Sequence, residues 1–446
     1  MRVLVVGGGG REHALVWGLA RSPQVEELHA APGNAGIASL AECHAAAADD
    51  VTAQVALAGS LRSDLVVIGP EAPLAAGLAD ELRAEGFRVF GPGREGARLE
   101  ASKAFAKELM VRHEIPTARA ATFTEVQPAL AFVDELGGEA VIKADGLAAG
   151  KGVTVASDPG TAAAAIETCL VDRAFGAAGA RVVVEERLKG VEVSAFYLAN
   201  APGYGLPLAL AQDFKRVGDG DSGPNTGGMG AYSPLPWLGA DEEEQIWDAV
   251  FATARALDRE GIPYRGMLYT GLMLTPDGPK VLEYNCRFGD PETEVLIPRL
   301  GQLLALHLAA TADGNLPVDV ADASWDLSAV TVVLASGGYP GPYETGQEIH
   351  GLDEAAQVPD TVVFHAGTAE RDGRVVAAGG RVLAVTGWGP TIADARARAY
   401  DAASRISFDG MILRHDIAAT AAAGSGGSRS ERDQRERSPQ AEGRET

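Results

Sequence analysis

The spacing of apolar and polar positions changes several times along the chain, and each change predicts an element. Residues 3–6 are a continuous apolar run, the pattern of a strand covered on both faces, and they stop at four glycines, 7–10. Arg11-Glu12-His13-Ala14-Leu15 then opens a helix. Strand, glycine turn and helix predict the first unit of a doubly wound parallel sheet. Residues 25–30, 65–68 and 88–90 predict further strands, each running into a loop that carries glycine. In such sheets ligands collect at the carboxyl ends of the strands.

A helix is predicted over 102–113, with Ser102 near its N-cap. From about Thr117 the pattern gives strands at 140–143, 153–155 and 181–186 and a helix over 161–171, which predicts a small α+β lobe. Residues 191–325 carry more strands and a long Gly/Pro/Asp-rich loop at 213–236. Strands at 329–335 and 381–386 and a helix over 392–406 predict a third section. The tail 421–446 has five Arg, five acids and little to bury, so disorder is expected there.

Bulk properties narrow the partners. The chain has 446 residues, 46% hydrophobic and 22% charged, which suits a multidomain globular protein. A net charge of −23 argues against a nucleic-acid partner. Cys43, Cys169 and Cys286 are too few and too scattered for a disulfide framework or a zinc motif. The start of the chain lacks a signal-peptide pattern, and no apolar run reads as long enough to span a bilayer; a cytoplasmic location without membrane contact is the expectation.

The most informative stretch is residues 283–292. Glu283 and Asn285 lie two apart at the end of a short apolar run, so on a strand both side chains share a face. Side by side, a carboxylate and a carboxamide offer hard oxygen ligands that suit Mg²⁺, and Arg287 adds a cation on the same face. The Gly-rich run from Lys143 to Val153 resembles a P-loop superficially, but it is one residue short and has Gly152 in place of the Ser or Thr. It precedes a strand, so it reads as a lid over phosphates, with Lys143 and Lys151 approaching from different sides. The metal ligand it lacks then comes from Glu283 and Asn285. Glu185, Glu186 and Glu192 end and follow an apolar strand that could edge a purine pocket; taken alone, a solvated strand end explains them better. The 213–230 loop sets Lys215-Arg216 beside three aspartates, as in an ordered site loop. Gly7–Gly10 suits a phosphate at a helix N-terminus, and a tight strand–helix turn explains it about as well. An NAD-dependent oxidoreductase is disfavoured, because Glu12 replaces the third fingerprint glycine and Ala31-Pro32-Gly33 stands where the ribose-binding acid belongs.

Residues 9–15, 69–74, 143–153, 215–232 and 287–293 together resemble the phosphoribosylamine–glycine ligase family of the ATP-grasp superfamily, over about residues 1–418. The resemblance implies an α/β and α+β multidomain fold: an N-terminal doubly wound, Rossmann-like domain (1–101), ATP-grasp lobes (102–325, with a mobile lid lobe at about 117–190) and a C-terminal α+β domain (326–418). It implies ligation of glycine to 5-phosphoribosylamine with ATP as co-substrate and Mg²⁺ or Mn²⁺ as cofactor, in purine biosynthesis, by a monomer. Arg287, Lys151 and Asp290 are then the expected catalytic groups, and Glu283 and Asn285 the metal ligands. Lys103, Lys143, Gly150, Lys151, Gly152, Glu185, Glu186, Leu188 and Glu192 are expected at ATP. Gly10, Asn34, Gly69, Pro70, Glu71, Asp213, Lys215, Arg216, Arg287, Pro291 and Glu292 are expected at the other substrates. Two positions depart from the family pattern: Phe214 stands where His is common, and residues 269–273 offer no carboxylate for a second metal ion. Other ATP-grasp ligases or carboxylases, and a nucleotide-binding regulator without catalysis, are the alternatives.

Overall fold

The protein is seen as a computed structural model that describes residues 1–147, 152–200, 204–316 and 326–424. The all-apolar run at the start forms the strand Arg2–Gly7, at the centre of a five-stranded sheet. The order across that sheet is Glu42–Cys43, Glu27–Pro32, Arg2–Gly7, Leu65–Ile68, Val89–Phe90, and every pair is parallel. The second strand starts two residues later than the sequence pattern predicts, and the short edge strand Glu42–Cys43 has no apolar signal to announce it. Helix Gly10–Ala20 follows the glycine turn and packs on the helix Thr293–Leu300.

A four-stranded antiparallel sheet holds Ala120–Phe123, Val182–Glu186, Ala140–Ala144 and Val153–Ala156, in that order. Helices Val126–Glu135 and Pro159–Leu170 cover one face, where Ala140, Ile142, Ala144, Val182 and Val184 are buried against Val133 and Ile166. Alternation therefore turns Lys143 and Glu185 to the opposite face.

The third sheet has eight strands, all paired antiparallel: Gly278–Asn285, Arg265–Thr275, Val191–Asn200, Tyr204–Asp213, Gly230–Ser233, Ser328–Ala335, Arg381–Gly389 and Thr361–His365. One continuous ladder thus joins the strands after Val191 to those after Ser328, where the pattern alone suggests a separate last section. The stretch 213–236, a loop by composition, holds the hairpin Arg216–Gly218/Ser222–Asn225 and the strand Gly230–Ser233. Helix Ile392–Ala403 packs on the strands Ser328–Ala335 and Arg381–Gly389.

One expectation needs correction. The stretch Thr293–Asp313 is helical, long and apolar enough to cross a membrane by length and composition (mean hydropathy 1.4). It is interrupted by Pro298 and by the short 3₁₀ turn Gly301–Leu303, which is why no single run stands out in the sequence. Some 72% of its most apolar 18-residue window is buried inside the protein, as in a core helix. The expected disorder of the tail concerns residues that, from 425 onward, lie outside the described ones; Ala419–Ala422 is a short helix.

Candidate active site

The strand Gly278–Asn285 reaches the site through an irregularity. Glu283 pairs with Gly271 and Val281 with Leu272, so Leu282 is an extra residue in the ladder. Strict alternation would put Val281 and Glu283 on one face. The bulge reverses the phase: Val281 and Tyr284 are both in the core, while Glu283 and Asn285 leave it together. Cys286 returns to the core, its amide donating to Glu100 and its thiol to the Gly96 carbonyl.

Lys143 reaches this strand from the four-stranded sheet. Its ammonium donates to the Leu282 carbonyl at 3.0 Å and pairs with Glu185 Oε1 at 3.1 Å. Glu185 Oε2 is 3.0 Å from Lys107 Nζ, so one buried carboxylate joins two lysines. Burial pulls the Lys107 ammonium down to about 8 even though Glu185 opposes the shift. Lys107 is a site residue the sequence reading missed; its spacing of four from Lys103 on one helix was the available signal. Lys103 opens that helix, which is capped by Ser102 and braced by Asp145, and donates to the Gly146 carbonyl.

Arg287 ties the strand end to the N-terminal sheet. Its guanidinium meets Glu71 at 3.2 Å, Glu100 at 3.1 Å and Asn285 Oδ1 at 3.0 Å. Burial alone would raise the Glu71 carboxyl, but Arg287 and Arg11 outweigh it and hold it below its ordinary value. Glu100 is more deeply enclosed, and there burial prevails over Arg287, so its carboxyl is raised. Burial would likewise raise Glu283, yet Lys215, Lys143, Lys103 and Arg287 together keep it lowered and ionised. An ionised Glu283 beside Asn285 presents two hard oxygen donors, so a divalent cation can bind there without displacing a proton.

A second group lies where the hairpin region meets the same sheet. Lys215 Nζ is 2.7 Å from Glu192 Oε2, and the Tyr269 hydroxyl donates to Glu292 at 2.7 Å. Burial, with Glu192 and Glu292 nearby, raises Asp213 to about 7 despite the neighbouring Lys215. Several carboxylates around one ammonium leave one of them prone to keep its proton. Asp290 is paired with Arg381 at 3.0 Å, and Arg381 also donates to the Gly227 and Asp290 carbonyls. Tyr269, Glu100 and Arg381 carried no sequence signal.

The glycine turn is built for close backbone approach. A Cβ on Gly8 would lie 2.3 Å from the Gly33 carbonyl oxygen, and one on Gly69 would lie 2.2 Å from Glu12 Oε1. Glu12 caps its own helix by accepting from the Gly9 amide and pairs with Arg11. Gly10 begins that helix, and Pro70 ends the loop before Glu71. Asn34 braces the loops with its whole amide: Nδ2 donates to the Gly8 and His365 carbonyls and Oδ1 accepts from the Gly36 and Ile37 amides.

Not every expected residue joins these groups. The Arg216 guanidinium turns back into its own hairpin, donating to the Gly223 carbonyl. Glu186 accepts from the Arg119 amide and is 3.4 Å from Lys280. Leu188 is half-buried just past the strand Val182–Glu186, and Pro291 packs on Gly228. Gly152 is buried, its carbonyl accepting from the Ala144 amide, whereas Gly150 and Lys151 lie outside the described residues. Phe214 stacks under Arg414 at 4.9 Å rather than facing a polar partner.

Three family models cover the chain: the N domain of phosphoribosylglycinamide synthetase over residues 1–100, its ATP-grasp (A) domain over 101–293 and its C domain over 329–420. Phosphoribosylamine–glycine ligase of Pseudomonas aeruginosa is 50% identical over 421 residues, 94% of this chain and 97% of that protein. The enzyme of the same name from Agrobacterium fabrum is 50% identical over 419 residues, 94% of this chain and 98% of that protein. The crystal structure of phosphoribosylamine–glycine ligase from Thermotoga maritima superposes with a TM-score of 0.81 at 35% identity, covering 94% of this chain and all of that one. A biotin carboxylase domain from Hydrogenobacter thermophilus, solved with MgADP and bicarbonate, shares the fold at a TM-score of 0.73 and 16% identity, over 97% of this chain and 95% of that one. The chain therefore belongs to the phosphoribosylglycinamide synthetase, or phosphoribosylamine–glycine ligase, family.

Proposed function

We propose that this protein ligates glycine to 5-phosphoribosylamine with ATP, giving glycinamide ribonucleotide, ADP and phosphate through a glycyl phosphate. The observation that carries the reading is the ionised Glu283, set among Lys103, Lys143, Lys215 and Arg287. A carboxylate surrounded by four cations is a place for a polyphosphate with its divalent metal. Glu283 and Asn285 would hold the Mg²⁺ or Mn²⁺, which when bound would neutralise charge on phosphoryl oxygens.

Glycine's carboxylate is a poor electrophile. One of its oxygens attacks the γ-phosphorus, ADP leaves, and the resulting acyl phosphate is open to the amine. The transition state spreads negative charge over the phosphoryl oxygens, which Lys143 and Arg287 stabilise. Attack by the amine on the acyl carbon expels phosphate and releases a proton. Asp213, with its carboxyl near neutrality, accepts that proton beside Lys215. Glu185 pairs with Lys143 and Lys107 in a buried setting, the adenine edge being left to the backbone after Val184. The loops around Gly8, Asn34 and Gly69 receive the sugar phosphate at the helix N-terminus. Arg381 fixes Asp290 and the Gly227–Gly228 backbone against each other, which shapes the wall beside Glu292.

An assay of ADP release with each substrate omitted in turn tests this. Release is expected only with ATP, glycine and phosphoribosylamine all present. Release that needs bicarbonate in place of glycine would instead indicate a carboxylase.

A further inference from the structure

We propose that His29, Glu42 and His44 form a binding site for a Zn²⁺-class transition-metal ion on the edge of the N-terminal sheet, apart from the catalytic cleft. Among the described residues, their ligand atoms all lie within 4.8 Å of one another. His29 sits on the strand Glu27–Pro32 directly opposite Glu42 on the edge strand Glu42–Cys43, and His44 follows that strand. By alternation Glu42 and His44 share one side of the edge, while Cys43 points away to pack on Gly33.

The distances suit one ion. His29 Nδ1 is 3.1 Å from His44 Nε2 and 3.6 Å from Glu42 Oε2. Ligand atoms at zinc distances in a tetrahedron are about 3.3 Å apart, so all three donors can converge with little movement. The rings are tilted by 46°, which leaves both lone pairs able to turn to one point. The donor set, two imidazoles and a carboxylate with one open position, selects zinc-like ions over Mg²⁺.

A second observation points the same way. His29 is only 7% exposed, and its Nε2 is buried without a hydrogen-bond partner. Glu27 Oε2 stands 3.8 Å from that nitrogen. With a metal on Nδ1, Nε2 must carry the proton and becomes a donor facing a carboxylate, the arrangement that orients metal-bound histidines. Without a metal, the His29–His44 contact requires one imidazole to donate to the other, and the tautomer with the proton on Nδ1 leaves Nε2 a bare buried acceptor.

The test is a Co²⁺ titration of chelator-stripped, untagged full-length protein in excess Mg²⁺, followed by visible absorption. One equivalent should give the intense bands of four-coordinate Co²⁺, and Zn²⁺ should displace it. Glu42→Gln, at an exposed position, and His44→Gln, at a half-buried one, should each weaken binding by about tenfold or more while ADP release stays unchanged. Absence of four-coordinate bands, or bands that survive both substitutions at the same affinity, would overturn the proposal.

Discussion

Lys143 Nζ donates at 3.0 Å to the carbonyl of Leu282, the extra residue of the bulge that turns Glu283 out of the core. A lysine of one sheet thus occupies the irregular point of another. Lys143→Met should lose that bond and a phosphate contact together. KM for ATP should rise by tenfold or more, with stability lower by about 1–3 kcal/mol; steady-state kinetics and urea unfolding read the two effects separately.

Glu185 compensates two buried lysines. Glu185→Gln leaves both ammonium groups without their carboxylate, a change that costs roughly 3–5 kcal/mol when a buried pair is broken. The urea midpoint should fall accordingly, and an unshifted midpoint would show that the lysines find water or lose their protons at little cost.

Glu283→Ala should abolish turnover, by about a hundredfold or more in kcat, with the fold intact by circular dichroism. The remaining activity should require higher Mg²⁺. Normal activity in the folded variant would refute the metal-ligand role.

Asp213 carries its proton up to about 7 in the folded protein, against 3.8 as its ordinary value. Between those values the folded state binds the extra proton, so this group's contribution falls as pH rises, and its cost is complete above about 7. Asp213→Asn removes that dependence. Its Tm relative to the wild type should therefore climb across the same window, and the acid limb of kcat/KM near neutrality should disappear.

Gly8→Ala forces a methyl to within 2.3 Å of the Gly33 carbonyl. Over-packing of this kind costs about 1–3 kcal/mol, and the two loops must separate. Scanning calorimetry should show a lower Tm, and KM for phosphoribosylamine should rise more than KM for ATP.

Much of this arrangement could be read from the residues in order. Apolar runs located the strands Arg2–Gly7 and Leu65–Ile68, and Ser102 caps its helix as the pattern predicts. The shared face of Glu283 and Asn285 followed from their spacing. The bulge at Leu282 did not, because one added residue changes the phase without changing composition. The hairpin at Arg216–Gly218 reads as loop because its strands are short and without an apolar run, and the second is exposed throughout. Glu100 and Arg381 join the site only through pairings over 90 residues or more in sequence, which no local window contains. The Arg216 contact has a related origin: its partner, the Gly223 carbonyl, is in reach only once the hairpin forms.

The strand Gly230–Ser233 is held between Tyr204–Asp213 and Ser328–Ala335, and it touches the first through only two residue pairs. A truncation before residue 328 would strip its longer neighbour away and leave a bare row of amides and carbonyls facing water. Such an edge invites pairing between molecules. The strands from Ser328 to Gly389 are thus no removable appendage: without them, the strand that pairs with Gln212 and Asp213 would be offered to the nearest passing chain.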